Sequence, residues 1–505
     1  MTVALNSSTL PAGFRVGASA PARAGIVHLG LGQFHRAHAA VYTALAMAAE
    51  PGDWGIVGVA NRSHTIVDAM RAQDYLYSIL ELTPGEERVQ VADVHRGAFV
   101  AADQADDVLA ALISPTTRVI TLTLTEAGYH TSATGRLDLT APDIAADLAH
   151  PYSPTSLLGI LATGLWRRCQ SGGAPVTVLS CDNMLAAGHT AHDRLVDYLS
   201  AAQAPGEVLD WLSSDVKFPN AMVDRIVPST TDATRAAVER ILGVRDAAPV
   251  PAEKFTMWVM EDVFAAGRPA WEKAGVIFTD EVDKYELIKL RLLNGCYSLL
   301  STLGVLAGKA TNPEAITTDY IAACVHAAQD DEYLPTLELP AGFDVRAYID
   351  ELFERWANTA LGDATYRVAT DGSVKLAQRI VIPANHALEQ GLMPQQMALT
   401  AAAWICVACP PPGFDPGELA AKVVEPKAAA MARATAGASS ARDHTLRIMH
   451  GDFLPHDLTR WEVFNERVAD FVEIISRDSV RAAAGEALAS RGYPNADAQN
   501  CTGSA

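Results

Sequence analysis

The chain has 505 residues, too many for one hydrophobic core, so two or three domains are expected. Hydrophobic residues make up 49% and charged residues 19% of the chain, which is typical of a folded protein and excludes a largely disordered one. The formal net charge of -20, with no basic run, argues against a nucleic-acid-binding protein, because phosphate binding needs clustered Lys and Arg.

The first half of the chain alternates short apolar runs with helical patterns, which indicates a mainly parallel sheet covered by helices. The predicted strands are Ile26–Gly30, Trp54–Val59, Val119–Thr125 and Val176–Cys181, and the predicted helices between them include Ala37–Ala49 and Ser156–Arg168. Each strand is a nearly continuous apolar or β-branched run, as buried parallel strands require. We expect Ala221–Ile226 and Phe255–Asp262 to extend the same sheet.

The first predicted strand runs into a Gly-x-Gly turn, Gly30-Leu31-Gly32, and then into a helix. Glycine at 30 permits a tight turn, and glycine at 32 lets the backbone approach a pyrophosphate at the N-terminus of the helix. The third glycine of the usual fingerprint is absent, and Phe34 and His35 lie near its place. A structural turn is the alternative, but the position in the first strand of an α/β domain favours a dinucleotide site.

No acid that could bind the adenosine ribose ends the second strand, where Val59 and Ala60 lead into Asn61, Arg62 and Ser63. Arg62 and Ser63 are suited to a 2′-phosphate, which favours NADP. Alternatively, Arg62 stacks on the adenine or faces solvent. The sequence therefore predicts NAD or NADP without separating them.

The seven cysteines are odd in number and show no repeated spacing, which favours reduced thiols in a reducing compartment. Cys406 and Cys409 form one C-x-x-C at the end of an apolar helix, and packed core thiols are favoured there over a redox motif or half a zinc site. The chain shows neither a secretory signal pattern nor an apolar run long enough to span a bilayer. A cytoplasmic protein is therefore expected.

From Tyr285 onward the pattern is mostly helical, with predicted helices at Tyr285–Leu306, Ile316–Gln329, Val345–Asn358, Pro394–Cys406, Trp461–Val472 and Ser479–Leu488. The expected plan is a dinucleotide-binding α/β domain over residues 1–280 and an all-α domain over residues 281–505. The active site is expected in the cleft between them. The polar tail from Tyr493 is expected to be frayed.

The first long helix of the second half carries Glu286, Lys289, Asn294 and Tyr297 within one arc, which they share with apolar neighbours. Burial on such a face is expected to lower the pKa of Lys289, so that its amine accepts an alcohol proton as hydride leaves carbon. Asn294 is suited to donate its amide hydrogens to the developing alkoxide. The alternative is a surface helix on which Lys289 and Glu286 form an ion pair.

Five motifs follow one another along the chain: Gly30-x-Gly32-x-Phe34-His35-Arg36-Ala37-His38, Thr125-Glu126-x-Gly128-Tyr129, Ser180-Cys181-Asp182-Asn183, Phe218-Pro219-Asn220-x-Met222-Val223-Asp224-Arg225-Ile226-x-Pro228 and Lys289-x4-Asn294. Together they closely resemble the mannitol dehydrogenase family, the polyol-specific long-chain dehydrogenases that also include fructuronate and tagaturonate reductases and arabinitol dehydrogenases. The resemblance runs from about Gly25 to about Leu488.

The resemblance implies a Rossmann-type domain, a helical C-terminal domain and catalysis without zinc. The sequence agrees, since it has no His-Glu-x-x-His and no Cys/His cluster with ligand spacing. Carried over by motif, the resemblance makes Lys289 the general acid/base and places Asn294 and Asn183 at the reacting oxygen, with Glu286 at a water path for proton release. It sets Asp224, Tyr297, Arg367 and Lys375 at the substrate. The expected cofactor-binding residues are Gly30, Gly32, Phe34 and Glu126 of the motifs, together with Arg62 from the end of the second strand. For Arg367 and Lys375 the alternative is an exposed basic pair in a loop.

The chain departs from the family pattern at three places. Tyr297 stands where the family usually has a substrate-contacting histidine, and a phenol hydrogen-bonds there without offering a base at neutral pH. The stretch from Met184 to Gly188 lacks the asparagine of the family's Pro-x-Asn-Gly loop, and Ala127 replaces a lysine. The first two changes fall near the expected substrate pocket, so the resemblance assigns the reaction type rather than the substrate.

The sequence therefore predicts reversible NAD(P)-dependent oxidation of a secondary hydroxyl of a polyol or aldonate, as in a mannitol 2-dehydrogenase. A hexuronate reductase, with Arg367 and Lys375 holding the carboxylate, is the alternative within enzymes. A catalytically silent NAD-binding sensor is the alternative of another class. The expected partner is a small molecule rather than a nucleic acid or a membrane, and the expected assembly is a monomer or small homo-oligomer.

Overall fold

A computed structural model of the chain describes residues 3–17, 21, 23–132 and 134–491. The polar tail predicted to fray from Tyr493 lies outside these residues. The chain divides into two compact units, Met1–Asp283 and Lys284–Ala505. The predicted α/β fold followed by a helical fold is confirmed, because every strand in the described part of the chain lies in the first unit.

The strands in chain order are β1 (Ala24–Leu29), β2 (Gly55–Ala60), β3 (Tyr77–Thr83), β4 (Glu86–Ala92), β5 (His95–Val100), β6 (Val119–Leu122), β7 (Val176–Ser180), β8 (Val216–Lys217), β9 (Ala221–Asp224), β10 (Val250–Glu253), β11 (Met257–Met260) and β12 (Ile277–Phe278). The helices of the same unit are α1 (Gln33–Ala37), α2 (Ala39–Ala49), α3 (His64–Ala72), α4 (Ala105–Ile113), α5 (Pro142–Ala149), α6 (Leu157–Gln170), α7 (Ala187–Ala201), α8 (Gly206–Asp215) and α9 (Asp232–Leu242), with short 3-10 helices at Glu126–Tyr129 and Trp271–Ala274.

The first unit is built on a parallel sheet of six strands in the order β5-β2-β1-β6-β7-β8. The central strand β1 buries both of its faces, since Ile26 belongs to one hydrophobic cluster and Val27 and Leu29 to another. Alternate side chains point to opposite faces of a strand, so a sheet covered on both sides needs an uninterrupted apolar run. This explains why the four predicted strands of this sheet could be recognised.

The prediction that Ala221–Ile226 and Phe255–Asp262 extend this sheet is wrong. Strand β9 pairs antiparallel with β11, with Met222 opposite Val259, in a separate sheet of order β12-β11-β9. Apolar patterning indicates a strand but does not identify the strand beside it. A third sheet, β10-β3-β4, contains a hairpin whose two-residue turn ends in Gly85, with φ +79°.

The helices from residue 282 onward are α10 (Val282–Ile288), α11 (Cys296–Leu306), α12 (Asn312–Ile316), α13 (Asp319–Ala327), α14 (Val345–Trp356), α15 (Thr365–Ala369), α16 (Gly372–Arg379), α17 (Val381–Glu389), α18 (Gln395–Ala408), α19 (Ala428–Ala434), α20 (Ala441–Met449), α21 (His456–Thr459), α22 (Glu462–Arg477) and α23 (Val480–Ala489). Short 3-10 helices lie at Leu334–Thr336, Thr359–Leu361 and Ala420–Lys422. Helix α18 is the central helix of this unit, and it is buried around its whole circumference from Gln395 to Val407. An apolar surface on every side, such as Ala401-Ala402-Ala403-Trp404 provides, is what such a helix requires.

The predicted single helix Tyr285–Leu306 is interrupted. Helix α10 ends at Ile288, a π-helical segment covers Lys289–Gly295, and α11 resumes at Cys296. A second π-helical segment, Ala328–Tyr333, packs against the first. Such segments are rare and are frequent at functional sites.

The helices were compared with the length and hydropathy of a membrane-spanning helix. No helix among the described residues combines the length and the hydropathy needed to cross a bilayer.

Candidate active site

The turn after β1 carries the Gly-x-Gly predicted to bind a dinucleotide. Gly30 has a φ of +103°, and a Cβ there would lie 2.1 Å from the carbonyl oxygen of Thr123, so only glycine fits. Gly32 is exposed, and a Cβ there would have its nearest described neighbour, Gly30 O, at 3.6 Å. Glycine is therefore required for folding at 30, whereas at 32 it leaves the backbone open to a ligand.

This turn lies where the strand order of the parallel sheet reverses, because β1 is flanked by β2 on one side and by β6 on the other. A crevice opens at the carboxyl ends of the strands at such a point. Helix α1 begins directly after Gly32, and no side chain among the described residues caps its N-terminus. The first backbone N–H groups of a helix suit an anion, so the residues of this edge fit a dinucleotide pyrophosphate.

Three buried histidines, His28, His35 and His95, pack next to the glycine turn. The rings of His28 and His35 stack with their centroids 3.4 Å apart, and Nε2 of His35 lies 3.2 Å from Nε2 of His95. The ring nitrogens of His28 also lie 2.9 Å from Thr121 Oγ1 and 3.0 Å from Gly30 O. Burial lowers the pKa of His28 to about 3 and, with the mutual repulsion of the rings, holds the pKa of His35 and His95 well below 6.5. All three rings are therefore neutral at physiological pH.

We expect this cluster to make the fold sensitive to acid. Below pH 6.5 these histidines bind protons in the unfolded chain but not in the folded one. The free energy of unfolding therefore falls as the pH drops from 6.5 toward 3. Each such histidine contributes up to about 1.4 kcal/mol per pH unit in that window. The apparent Tm measured between pH 7 and 5 is expected to fall less steeply in His95→Gln than in the unchanged protein, and equal slopes would show that the cluster does not titrate in this way.

Two arginines of the sequence motifs build the scaffold around the turn. Arg36 Nε donates to Gly32 O at 3.3 Å, and its Nη1 donates to Ala248 O. Burial lowers the pKa of Arg36 to about 10, so it stays charged at neutral pH. Arg225 donates to the carbonyl oxygens of Ala37 and Glu253. Arg225 also pairs with Glu81 Oε1 at 3.2 Å. Both arginines thus hold backbone carbonyls of the scaffold, a role that the motif alone does not reveal.

A strained residue marks the loop that follows β6. Thr125 has a φ of +65°, a conformation that a β-branched residue rarely adopts. Its N–H donates to Asp182 Oδ1 at 2.8 Å, and Tyr129 Oη donates to Asp182 Oδ2 at 2.7 Å. Burial raises the pKa of Asp182, against the hydrogen bonds that lower it. Asp182 therefore positions the loop that carries Glu126, and its place in the Ser-Cys-Asp-Asn motif after a buried strand was the available signal.

The sheet brings several predicted residues to one edge. Leu29 is opposite Leu122, and Leu122 is opposite Ser180, so the glycine turn, Glu126 and Asn183 all follow the carboxyl ends of adjacent strands. Glu126 and Asn183 are exposed there.

The other predicted residues of the first unit lie in other environments. Phe34 is partly buried in α1 and its ring stacks on His38 at 4.9 Å. Asp224 ends β9 in the separate sheet and is buried. Arg62 is exposed and lies 3.6 Å from Asp143, an exposed pair of little energetic value.

The π-helical segment of the second unit carries the predicted acid/base. Lys289 begins the segment and retains 8% exposure, as does Glu286 one turn earlier. Five residues at about 100° each would place Lys289 and Asn294 about 140° apart on an α-helix. Hydrogen bonds that close five residues apart bring such positions closer to one face. The segment therefore groups the amine and the amide more tightly than the predicted regular helix.

Gly295 permits this segment to pack tightly. A Cβ at Gly295 would lie 2.4 Å from Tyr333 Oη, which belongs to the second π-helical segment. The two segments therefore touch through a glycine and a buried tyrosine.

Tyr297, the residue that departs from the family pattern, lies on α11. Its hydroxyl donates to Asp363 Oδ2, and Asn312 Nδ2 donates to Asp363 Oδ2 at 3.1 Å. Asn312 is fixed in turn by Ser301 Oγ, which donates to its Oδ1 at 2.8 Å. The phenol proton is thus donated to a carboxylate, a partner 66 residues away that local sequence patterns do not indicate.

Arg367 lies on α15 and Lys375 on α16, so the prediction that they belong to a loop is wrong. Arg367 is exposed. Lys375 Nζ donates to Val368 O at 3.0 Å and to Thr370 O at 2.6 Å. Burial, and to a lesser degree the charge of Arg379, lower the pKa of Lys375 to about 8.

The Cys-x-x-Cys pair and the candidate metal ligands were checked in the described residues. Cys406 and Cys409 are buried and unpaired, and burial raises the pKa of both thiols. Within the described ranges, no three His, Cys, Asp or Glu side chains are grouped so as to hold a metal ion.

Comparison with known families adds an independent finding. The sequence model of the mannitol dehydrogenase Rossmann domain matches residues 24–273, and that of the mannitol dehydrogenase C-terminal domain matches residues 281–436. Together they span most of the chain.

Individual relatives agree with these matches. Mannitol 2-dehydrogenase of Cereibacter sphaeroides is 37% identical over 75% of this chain and 80% of its own length. D-mannonate oxidoreductase of Escherichia coli is also 37% identical, over 75% of this chain and 79% of its own length. The solved Pseudomonas fluorescens mannitol 2-dehydrogenase, a ternary complex with NAD and D-mannitol, is 33% identical, covers 96% of this chain and 100% of its own, and superposes with a TM-score of 0.84.

Proposed function

Because the chain belongs to the mannitol dehydrogenase family, we propose that it catalyses reversible, NAD-dependent oxidation of a secondary hydroxyl of a sugar alcohol to a ketose. The observation that carries this proposal is the π-helical segment, in which a buried lysine and an asparagine are drawn toward one face of a helix. Without a metal ion, an amine can accept the hydroxyl proton and an amide donor can stabilise the developing alkoxide.

In the proposed mechanism the first unit holds the cofactor. The exposed backbone at Gly32 and the uncapped start of α1 would bind the pyrophosphate. Phe34 and Glu126 would complete the cofactor site, and Arg62 would lie near the adenosine. When bound, the nicotinamide ring supplies the hydride acceptor in oxidation and the donor in reduction.

Lys289 would perform the proton transfer. In oxidation its neutral amine accepts the hydroxyl proton while the carbon loses hydride, so the alcohol becomes a ketone and the amine an ammonium group. In reduction the ammonium returns the proton to the carbonyl oxygen. Asn294 and Asn183 would donate hydrogen bonds to that oxygen, and Glu286 would help the proton leave Lys289 for water. This chemistry requires no metal ion.

Substrate orientation would fall to Asp224, Tyr297, Arg367 and Lys375. The hydroxyl proton of Tyr297 is donated to Asp363, so Tyr297 is suited to accept a hydrogen bond from a substrate hydroxyl. Two of the three Lys375 donors are occupied by backbone carbonyls, so one remains for substrate. One acceptor on Tyr297 and one donor on Lys375 suit the hydroxyl groups of a neutral polyol.

A second candidate is oxidoreduction of a sugar acid. The relative named D-mannonate oxidoreductase is as similar to this chain as the relative named mannitol 2-dehydrogenase. In that case Arg367 and Lys375 would hold the carboxylate, as bidentate and point-charge partners respectively.

A substrate panel tests the proposal. Purified protein is incubated with mannitol, arabinitol or sorbitol plus NAD or NADP, and with fructose or fructuronate plus the reduced cofactors, while absorbance at the nicotinamide band is followed with and without a chelator. We expect polyol oxidation and ketose reduction that survive the chelator. Turnover confined to fructuronate would favour the sugar-acid candidate, and tight NADH binding without turnover would identify a sensor and overturn the proposal.

A further inference from the structure

The first π-helical segment is held from the side by a helix outside the predicted site. Helix α16 packs against the segment, and its last residue, Arg379, reaches across to it. Nη1 of Arg379 donates to the backbone carbonyl oxygen of Asn294 at 2.9 Å and to Ser298 Oγ at 2.8 Å. One guanidinium nitrogen thus bridges the end of the π-helical segment and the first turn of α11.

The carbonyl of Asn294 lies where the π-helical ladder returns to the α-helical one. Backbone carbonyls are obligatory acceptors, and a change in ladder spacing leaves those at the junction dependent on other donors. A charged donor gives a shorter and stronger bond than a neutral one. Burial lowers the pKa of Arg379 to about 10, which leaves it charged at neutral pH. Its bond to the carbonyl of Asn294 is therefore charge-assisted.

We propose that Arg379 is a positioning residue of the reaction, which holds Asn294 so that its side-chain amide is aimed at the reacting oxygen. This inference rests on the role proposed above for Asn294. Arg379 acts through the backbone of Asn294 and is not itself a catalytic residue.

Helix α16 is rigid enough to serve as the support. A Cβ at Gly372 would lie 2.2 Å from Trp404 Cδ1, so the start of the helix is packed directly on the central helix α18. Glu425 accepts hydrogen bonds from Ser373 N at 2.9 Å and from Trp404 Nε1 at 3.0 Å. The N-terminus of α16 is thereby fixed by a capping carboxylate and by close packing.

The same helix also carries Lys375, one turn before Arg379. Residues four apart lie on the same face of a helix, and the charge of Arg379 contributes to the lowered pKa of Lys375. Helix α16 therefore links two groups proposed to meet the substrate, the amide of Asn294 and the amine of Lys375. Removing Arg379 is expected to disturb their relative placement rather than cofactor binding.

The test compares Arg379→Gln, Arg379→Lys and Arg379→Ala with a matched control, Arg467→Gln. Arg467 belongs to the same unit and donates to Gln395 Oε1 at 2.7 Å and to Glu486 Oε1 at 3.1 Å. Its hydrogen bonds therefore lie away from the first π-helical segment. Steady-state kcat and KM, the Kd for NADH and the apparent Tm are measured for each variant. Backbone hydrogen exchange over residues 289–299 provides a readout that does not depend on activity.

We expect Arg379→Gln to lower kcat by about 100-fold, because small misplacements of a catalytic group have effects of that size. The Kd for NADH should stay within about twofold, and amides 289–299 should exchange faster, while Arg467→Gln should lose Tm without either change. Arg379→Lys should retain more activity than Arg379→Gln, and guanidinium ion, at concentrations far below those that unfold proteins, should partly restore Arg379→Ala.

Unchanged kcat and unchanged exchange in Arg379→Gln would overturn the inference. So would a loss of kcat in Arg467→Gln equal to that in Arg379→Gln at equal loss of Tm, since the effect would then be one of general stability. If the unchanged protein turned over no polyol or sugar acid, the proposed function would fail, and faster exchange in Arg379→Gln alone would then support only the structural part.

Discussion

Replacing Lys289 with alanine is expected to lower kcat by about 100- to 10,000-fold, the range that a positioned acid/base contributes. The reason is that no other group in the proposed mechanism accepts the hydroxyl proton as hydride leaves. Only 8% of Lys289 is exposed, so bulk water does not readily take the place of its amine. The measurement is steady-state oxidation of the best polyol, with NADH affinity followed by fluorescence.

The matched control for this prediction is Lys284→Ala on helix α10, which leads directly into the π-helical segment that begins at Lys289. Lys284 is partly exposed, with its Nζ 4.0 Å from Glu338 Oε2, a separation of low energetic value. We expect Lys284→Ala to keep kcat within about twofold and Lys289→Ala to keep the Kd for NADH within about twofold. Near-normal turnover of Lys289→Ala would refute the acid/base assignment.

Gly30→Ala and Gly32→Ala are expected to fail in different ways. A Cβ at position 30 would lie 2.1 Å from Thr123 O, and the new alanine would have to keep a φ of +103°. We therefore expect Gly30→Ala to lose more than about 3 kcal/mol of stability. A Cβ at Gly32 would be 3.6 Å from Gly30 O, so the Tm should hardly change. It would, however, stand where a pyrophosphate approaches the backbone, and the Kd for NADH should rise at least about tenfold.

Thermal unfolding and NADH titration of both variants check this pair. Gly85→Ala is a useful comparison, because Gly85 also has a positive φ, +79°, but has no atom within 4 Å of a would-be Cβ. It should therefore show backbone strain without the clash and lose less stability than Gly30→Ala. Unchanged NADH affinity in a folded Gly32→Ala would place the cofactor elsewhere.

The sequence is sufficient to predict those strands whose apolar pattern lies within a few consecutive residues. Strands β1, β6 and β7 are continuous apolar runs because both faces of the sheet are covered, and that pattern is visible without a structure. The separate sheet of β9 and β11 could not be anticipated, because strand partners are set by contacts distant in sequence. The hairpin of β3 and β4 was missed, since its outer strand begins with exposed charged residues.

The π-helical segment shows another limit of the sequence. Its residues, Lys-Leu-Arg-Leu-Leu-Asn-Gly, have the apolar spacing of an ordinary helix. Its contacts come from remote positions: Arg379 on the carbonyl of Asn294, and Tyr333 against Gly295. Neither contact leaves a mark in the local pattern.

The same limit applies to the predicted site residues. Residues whose own chemistry suits a role, such as Gly30, Lys289 and Asn294, could be selected from motif and spacing. Residues that act through others cannot be selected in this way: Asp182 belongs to a motif, but its hydrogen bond to the strained Thr125 is not visible in the sequence. Their roles depend on hydrogen bonds across 57 residues of chain, which spacing does not encode.

The central claim is that a lysine amine carries the proton, and the most direct measurement is chemical rescue of Lys289→Ala. NADH formation is followed after mixing the NAD-saturated variant with polyol and increasing concentrations of a small primary amine. The account predicts a rate that rises with amine concentration, more steeply at higher pH, where more of the amine is unprotonated. A rate that is independent of amine, or undiminished in its absence, would contradict it.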